Sequence, residues 1–413
     1  MDYSRYGGRR QAFVLVAAML WAALLLALAP GVSGESATRP EVDEDPTGAP
    51  YVAGELLVAY EPGTSEKAEE AVVREAGART LENPPEVDLR LISFPSIEGE
   101  ASEEMRTGAL EQELLDLEEE PQVEAADYNY IREVSFTPDD PKFDDQWGLT
   151  KPGFPDAWSS TKGRGAKIAI VDTGVDQRHS DIGRIVAQKD FIEHDAVADD
   201  DEGHGTHVTG IAGALTDNAK GVAGGCPRCT LLIAKVVGPT GVTTDSKLMK
   251  GIGWSVNRGA DVINISLGDP GNSSVLRSAV NDASAAGVVV VAAAGNERTT
   301  KRQYPAAYPE AIAVSATNRK DRLARFSNRG QWVDLAAPGR NILSTLDGGG
   351  YGEESGTSMS APFVSALAGL LASQGMPADQ IRHRMQTTAT DLGPTGKDPR
   401  YGHGRIDAAR AVR

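Results

Sequence analysis

The stretch Ser355-Gly356-Thr357-Ser358-Met359-Ser360-Ala361-Pro362 runs directly into the apolar segment 363–371. Apolar residues recur there at helical spacing, which predicts a buried helix that is entered from a loop of small residues and has Pro362 in its first turn. A serine at this entrance lies near unpaired backbone N–H groups and the positive end of the helix dipole. Most such serines only cap a helix, but the same position would also stabilise an oxyanion formed beside Ser358.

Two further stretches favour a catalytic interpretation. The run Ile168-Ala169-Ile170-Val171-Asp172 predicts a short buried strand that ends in a carboxylate, and His204 stands in a glycine-flanked turn before another apolar run. An imidazole can accept and return a proton near neutral pH, and a carboxylate can hold its tautomer. Ser358 therefore has a candidate base in His204 and a candidate orienting group in Asp172.

These three segments resemble the signatures of the subtilisin-like serine proteases, the subtilase family (peptidase family S8), and in particular its thermitase-like branch. The resemblance covers nearly the whole of residues 136–413. It implies a serine endopeptidase that hydrolyses extended protein substrates through an acyl-enzyme on Ser358, with Asp172 and His204 completing the triad. The expected mechanism needs no organic cofactor, and the roughly neutral charge of residues 136–413 favours broad specificity.

Strand-like and helix-like segments alternate along residues 136–413, and continuous apolar strands such as Val288-Val289-Val290-Val291 lie between helices. This pattern predicts an α/β fold with a parallel sheet covered by helices on both faces, which is also the subtilisin-like arrangement that the resemblance implies.

Residues 51–135 predict a separate, small α+β domain. Strands are predicted within 56–60, 87–94 and 123–131, and helices within 65–76 and 103–117, the second with its apolar residues Met105, Leu110, Leu114 and Leu117 facing inward. The position of this domain resembles the ferredoxin-like, inhibitor-type propeptide of subtilases. The resemblance implies an intramolecular inhibitor and folding aid that the protease removes from itself by a cut within 132–136.

The N-terminus carries Arg5, Arg9 and Arg10 before an almost uncharged run at 12–29 and small residues up to Gly34. This pattern predicts a secretory signal peptide at 1–34, and an uncleaved membrane anchor is the alternative. Residues 35–50 are rich in proline and acidic residues and predict a flexible linker. We therefore expect a secreted, extracellular protein that meets the membrane only transiently.

The formal net charge of −18 is concentrated in one segment, because residues 35–135 hold 27 acidic and 7 basic side chains. Residues 136–413 hold 31 of each and show no basic patch, so we expect no nucleic-acid partner. Protein or peptide substrates and the chain's own propeptide are the expected partners of a monomer.

The two cysteines form Cys226-Pro-Arg-Cys229. This spacing also occurs in redox motifs and in half of a zinc site, but the chain has no second cysteine pair to complete such a site. In an exported chain the pattern favours a small local disulfide.

The family resemblance assigns further roles to particular residues. Asn296 would donate to the oxyanion, and the segment Ser266-Leu267-Gly268 would pair with the substrate backbone and line the first specificity pocket. Gln303 would lie near the floor of that pocket, where it would shorten the pocket and add an amide, or it would point to solvent. His207 forms a His-x-x-His pattern with His204, which could chelate a metal, whereas the resemblance assigns it a packing role.

Structural calcium is the cofactor that the resemblance implies. Its first site would use side chains of Asp140, Asp181 and Asn218 and the backbone carbonyls of Leu215, Lys220 and Val222. A second acidic cluster, Asp190, Glu193, Asp195 and Asp199, resembles a site of the thermitase-like branch, with a solvated acidic loop as the alternative.

Two rival functions are compatible with the resemblance. One is a catalytically inactive subtilase fold used for binding, and the other is a processing protease dedicated to one partner.

Overall fold

The chain divides into two compact units at the boundary between residues 132 and 133; the first has one hydrophobic core and the second has two, one on each face of its sheet. The structure is a computed structural model that describes residues 41–46, 49–84, 87–97, 102–131 and 136–413. The predicted signal peptide and most of the predicted cleavage segment lie outside the described residues. Within the described ranges, no helix is long and apolar enough to cross a membrane.

The N-terminal unit is an antiparallel sheet with two helices. Its strands are β1 (Val42–Glu44), β2 (Pro50–Tyr60), β3 (Arg79–Glu82), β4 (Leu89–Ser93) and β5 (Val123–Tyr130), and its helices are α1 (Glu66–Glu75) and α2 (Glu103–Glu118). β2 lies between β4 and β5, and β3 pairs with the outer side of β4. This β-α-β-β-α-β order is ferredoxin-like and confirms the predicted α+β domain.

Two details of this unit differ from the predictions. Residues 35–50 are not linker throughout, because β1 pairs with β2 and the buried Asp43 accepts a 2.6 Å hydrogen bond from Arg106 on α2. Met105 is 50% exposed instead of facing inward, although Leu110 and Leu117 are buried. Five residues separate Met105 from Leu110, which turns its side chain well away from the buried stripe.

The C-terminal unit is built on a seven-stranded parallel sheet in the order β12-β11-β10-β9-β6-β8-β7. The strands are β6 (Lys167–Asp172), β7 (Ile185–Asp190), β8 (Thr230–Lys235), β9 (Val262–Ile265), β10 (Val289–Ala293), β11 (Ala311–Thr317) and β12 (Leu335–Pro338). A hairpin of β13 (Ile342–Leu346) and β14 (Gly350–Glu354) leads into the helix that carries Ser358.

Helices cover both faces of this sheet, which confirms the predicted α/β fold. Alternate residues of β6 enter different cores: Ile168 and Ile170 pack in the core that contains α8, and Ala169 and Val171 pack in the core that contains α6 and α7. The helices are α3 (Trp147–Thr150), α4 (Phe154–Ser160), α5 (His204–Gly213), α6 (Asp245–Asn257), α7 (Ser274–Ala285), α8 (Thr357–Ser373), α9 (Ala378–Thr387) and α10 (Ala408–Ala411).

The chain builds the sheet outward from β6 in two directions, first toward β8 and β7 and then toward β9 and β10. Loops leave opposite sides of the sheet at such a switch point, which opens a crevice at the carboxyl ends of the central strands. Asp172 ends β6, Ser266 follows β9 and Asn296 follows β10, so all three lie at this edge.

Candidate active site

Asp172 and His204 form a close pair at the carboxyl edge of the sheet. His204 is the first residue of α5, and its Nδ1 lies 2.7 Å from Oδ1 of Asp172. The Asp172 side chain is 1% exposed; its Oδ1 also accepts from the Thr173 N–H, and its Oδ2 is buried without a partner among the described residues. A carboxylate so poorly solvated favours an imidazole that donates from Nδ1, which leaves Nε2 as the base.

Charges around His204 favour its protonated form. Burial alone would lower the pKa of His204, but the bonded Asp172 carboxylate, with Glu354 and Glu202 nearby, raises it to about 9. Glu202 Oε2 also accepts the backbone N–H of His204 at 3.0 Å. Burial, together with the carboxylates of Glu202 and Asp172, raises the pKa of Glu354.

Ser358 is the second residue of α8, and its hydroxyl donates to the backbone carbonyl of Ser266 at 2.9 Å. Among the described contacts it has no hydrogen bond to His204; such bonds are often loose before substrate binds. Pro362 lies inside the helix, not in its first turn as predicted. Since Pro362 cannot donate to the carbonyl of Ser358, that carbonyl is free to accept from the Ser266 hydroxyl at 2.9 Å.

Two donors converge on the space in front of Gly356. Asn296 Oδ1 accepts from the N–H of Thr357 at 2.8 Å, which turns its Nδ2 toward the opposite side. A side chain at Gly356 would begin 3.3 Å from Asn296 Nδ2 and 3.6 Å from the backbone nitrogen of Ser358. The N–H of Ser358, in the first turn of α8, has no partner within the helix. An anionic oxygen in this space could therefore accept two hydrogen bonds.

A groove leads away from Ser266. Its lining includes Leu267 and Gly268, and its volume is about 410 Å³. Beside it, Gln303 is only 4% exposed and donates to Glu297 Oε2 at 3.3 Å, so its side chain does not point to solvent. Fully buried Asn328 donates to the same carboxylate oxygen at 2.6 Å.

The first set of predicted calcium ligands comes together. Asp140 and Asp181 are both buried, and burial, with Asp181 nearby, raises the pKa of Asp140. Asp140 accepts the backbone N–H of Asp217 at 2.8 Å, and Asp181 accepts the Asn218 amide and the Val222 N–H at 2.8 Å each. No lysine or arginine forms an ion pair with either carboxylate in the described part of the chain. Two buried carboxylates held only by neutral donors fit a site for a divalent cation.

The second set does not fit a calcium site. Asp190 Oδ1 accepts the backbone N–H groups of Ile192 and Glu193, and Asp195 Oδ1 accepts that of Val197. The ammonium of Lys235 already lies against this set, 2.7 Å from the carbonyl oxygen of Asp199. Across the described ranges, no group of three or more histidine, cysteine or acidic side chains is arranged to hold a metal, and the first set likewise has only two carboxylates.

His207 and the cysteines have structural positions. His207 is fully buried in α5, its Nε2 lies 3.2 Å from the Gly352 carbonyl, and burial lowers its pKa to about 4. This agrees with packing and not with metal binding. Cys226 and Cys229 form a disulfide that is fully buried in the main core.

Several residues that surround these groups were not predicted from the sequence. Glu297 follows Asn296 directly and could have been found by that position. Asn328 and Lys235 carry no local signal, because each reaches the site from a distant element. Asn264 lies only two residues before Ser266, inside β9, and donates to the Ser266 hydroxyl at 2.9 Å.

Comparisons with known proteins agree with this geometry. The sequence profile described as Subtilase family, Peptidase_S8, matches residues 163–404, and the profile of the Fervidolysin N-terminal prodomain matches residues 37–129. The thermophilic serine proteinase of Bacillus sp. (strain AK1) is 39% identical over 365 residues, which are 88% of this chain and 88% of the relative.

Thermitase of Thermoactinomyces vulgaris is 44% identical over 279 residues, which are 67% of this chain and 99% of the relative. A solved structure of a protease from Pseudoalteromonas arctica superposes with a TM-score of 0.63 and 31% identity, covering 67% of this chain and 99% of that one. The profile match over more than half of the chain and the two relatives agree with each other. The chain belongs to the subtilase family of serine endopeptidases, and a fervidolysin-like prodomain precedes its catalytic domain.

Proposed function

We propose that this chain is a secreted endopeptidase of broad specificity that matures by cutting off its own prodomain, with Asp172, His204 and Ser358 as its catalytic triad. The observation that carries the proposal is the 2.7 Å contact between His204 Nδ1 and the buried Asp172 at the carboxyl edge of the sheet. Ser358 is held at the same edge, because its hydroxyl donates to the Ser266 carbonyl. The signal-peptide pattern of residues 1–34 supports secretion.

In the proposed reaction, the Ser358 hydroxyl leaves the Ser266 carbonyl and attacks the substrate carbonyl carbon while His204 Nε2 takes its proton. The resulting oxyanion accepts hydrogen bonds from the Ser358 N–H and from Asn296 Nδ2. The tetrahedral intermediate then expels the amine, which receives the proton from His204. Water, activated by the same imidazole, attacks the acyl-enzyme and releases the acid and Ser358.

The substrate would bind as an extended strand along Ser266, Leu267 and Gly268. This segment offers backbone groups at the edge of the groove, and such pairing accepts most sequences, which supports broad specificity. The first specificity pocket would accept a smaller range of side chains, because buried Gln303 would fill part of its depth and add a polar amide. We therefore propose that side chains of moderate length are preferred over large aromatic ones.

Calcium is proposed as a structural ion of the first site. Asp140, Asp181 and Asn218 would hold it by side-chain oxygens, and Leu215, Lys220 and Val222 by backbone carbonyls. When bound, the ion would neutralise the two buried carboxylates. This role is structural and contributes no step to the hydrolysis.

The test is the intact mass of the purified precursor beside its Ser358→Ala variant, each incubated with and without calcium. We expect the wild type to lose the prodomain and the variant to stay whole. Equal cutting of both proteins would mean that another protease performs the maturation.

A fluorophosphonate probe supplies the second arm of the test. We expect it to label Ser358 of the folded, mature protein and not the Ser358→Ala variant. If the folded wild type neither matures nor reacts, the inactive binding protein becomes the better interpretation. A peptide-library profile separates broad specificity from a dedicated processing role.

A further inference from the structure

Lys235 is a buried cation beside the candidate triad. It is the last residue of β8, where it pairs in register with Asp172 of β6 on one side and Asp190 of β7 on the other. Its side chain is 3% exposed. Nζ donates to the Asp199 carbonyl at 2.7 Å, lies 2.9 Å from Asp201 Oδ1 and is 4.0 Å from Asp190 Oδ2.

These three oxygens are of the type that binds a hard cation: one backbone carbonyl and two carboxylates. The ammonium already supplies the positive charge among them. A buried charge is retained only when it is paired and hydrogen-bonded, and the lysine meets that condition through the Asp199 carbonyl and the Asp201 carboxylate, with the buried Asp190 carboxylate 4.0 Å away. A calcium ion at these oxygens would have to displace the buried ammonium from its hydrogen bonds.

The same contacts fix the segment that leads to His204. Lys235 binds at Asp199 and Asp201, and between them Asp200 Oδ2 accepts both the N–H and the hydroxyl of Thr206, at 2.8 and 2.6 Å, inside the first turn of α5. Residues 199–201 are also closely packed against Gly174. A side chain at Gly174, whose φ is +118°, would begin 2.6 Å from the Asp199 carbonyl, so only glycine fits there.

We propose that the Lys235 ammonium replaces the second calcium ion of the thermitase-like pattern in this chain, and that through residues 199–201 it is a positioning residue for His204. The positioning part rests on the proposed function of His204. The cation part does not, because it concerns which positive charge occupies the oxygen cluster.

The first experiment counts calcium. Equilibrium dialysis followed by elemental analysis compares the calcium-free folded wild type with Lys235→Ala, both in a Ser358→Ala background that prevents self-digestion. We expect Lys235→Ala to bind one ion more than its parent, and Asp190→Asn added to it to remove that ion. Lys250→Met, which removes an exposed ammonium on α6, is the matched control and should not change the count.

The cation proposal is overturned if the parent with Lys235 intact binds an ion that Asp190→Asn releases and Asp140→Asn does not. It is also overturned if folded Lys235→Ala gains no ion. If Lys235→Ala fails to fold, the comparison between the parent and its Asp190→Asn and Asp140→Asn variants decides alone.

The second experiment tests positioning with active enzyme. Lys235→Met keeps the length of the side chain and removes its charge. We expect kcat to fall about ten- to a hundredfold with KM nearly unchanged, because a small misplacement of a catalytic group has an effect of that order. The low-field proton resonance of the His204–Asp172 hydrogen bond should weaken in parallel, and calcium should partly restore kcat in Lys235→Ala.

Unchanged kcat and an unchanged low-field resonance in folded Lys235→Met would overturn the positioning role. An equal loss of resonance in Lys250→Met would overturn it as well, because the effect would then not belong to this site. Failure of the proposed proteolytic function would leave the calcium count intact, so the two failures are distinguishable.

Discussion

Removing the Glu354 carboxylate is expected to shift the pH dependence of this protease toward lower pH. Glu354 ends β14, four residues before Ser358, and its charge helps to raise the pKa of His204. The neighbouring Asp172 is the main raising influence, and burial opposes both. The pKa of His204 is about 9 instead of its ordinary 6.5, which corresponds to a free energy on the order of 3 kcal/mol in favour of the imidazolium. This is an upper value, because the His204 side chain is 28% exposed.

Only the neutral imidazole can accept the proton of Ser358. With a pKa of about 9, on the order of 1% of the free enzyme carries that form at pH 7 and about 10% at pH 8. The assay is kcat/KM for a peptide without ionisable groups, measured from pH 5.5 to 10.5, because this ratio reports groups of the free enzyme. We expect a limb that rises to a plateau with its midpoint above 6.5, and a lower midpoint in Glu354→Gln.

The control is Glu353→Gln, which removes an equal charge from the adjacent residue. Side chains alternate along a strand, and Glu353 is exposed and bonded to Asn341. A wild-type midpoint at or below 6.5 would refute the reasoning, because the carboxylates would then not stabilise the imidazolium. An equal shift in Glu353→Gln would refute the specific role of Glu354.

Stability should change in the opposite sense over the same range. The folded pKa of His204 lies above its unfolded value, so its contribution to the free energy of unfolding is fully present below about pH 6.5 and is lost as pH rises through about 9. Measured in Ser358→Ala, the resistance to urea should therefore fall where the activity of the wild type rises.

Three further predictions concern other parts of the molecule. Gly369→Ala should reduce the free energy of unfolding in urea by about 1–3 kcal/mol, since the added methyl would begin 2.8 Å from the Cys229 sulfur; an unchanged value would mean that the core yields easily. Glu297→Gln removes a negative charge, so it should lower the preference for arginine over its neutral isostere citrulline in the first specificity pocket. The measure is the ratio of kcat/KM for two peptides that differ only in this residue; an unchanged ratio would place the carboxylate outside the pocket. Calcium chelation should lower the melting temperature of the Ser358→Ala protein but not of the same protein carrying Asp181→Asn, and equal responses would exclude Asp181 from the site.

Patterns within single segments predicted the fold well. The continuous apolar strand at Val289–Ala293 and the helical spacing after Ser358 are local consequences of burial on both faces of a parallel sheet. The motif of small residues at the start of α8 and the glycine-flanked His204 likewise predicted the candidate site, because its residues occupy the ends of elements. The single segments did not predict which residues of other elements contact these element ends.

Contacts between distant elements account for the rest. The Ser266 hydroxyl donates to the Ser358 carbonyl, which Pro362 leaves without a helical partner. The two residues are 92 positions apart in sequence, and neither segment alone predicts the contact. The position of Pro362 itself was mispredicted because the helix begins at Thr357, in the loop of small residues, where propensity alone gives little support. β1 was not predicted for a similar reason. Its acidic sequence alone favours a solvated linker, and only the contact of Asp43 with the distant Arg106 explains why the strand is ordered.

The two acidic clusters show why sequence alone could not separate a metal site from a lysine site. Both combine aspartates with loop carbonyls, and both lie beside strands of the same sheet. At Asp140 and Asp181 the described donors include the Asn218 amide and backbone N–H groups, which carry only partial charge, and this supports the proposal that a cation from solution neutralises the carboxylates. At Asp190 the parallel register sets Lys235 of β8 opposite, and its ammonium lies 4.0 Å from the carboxylate. If the two proposals hold, the difference between a protein that binds one calcium ion and one that binds two depends on a single side chain on a neighbouring strand.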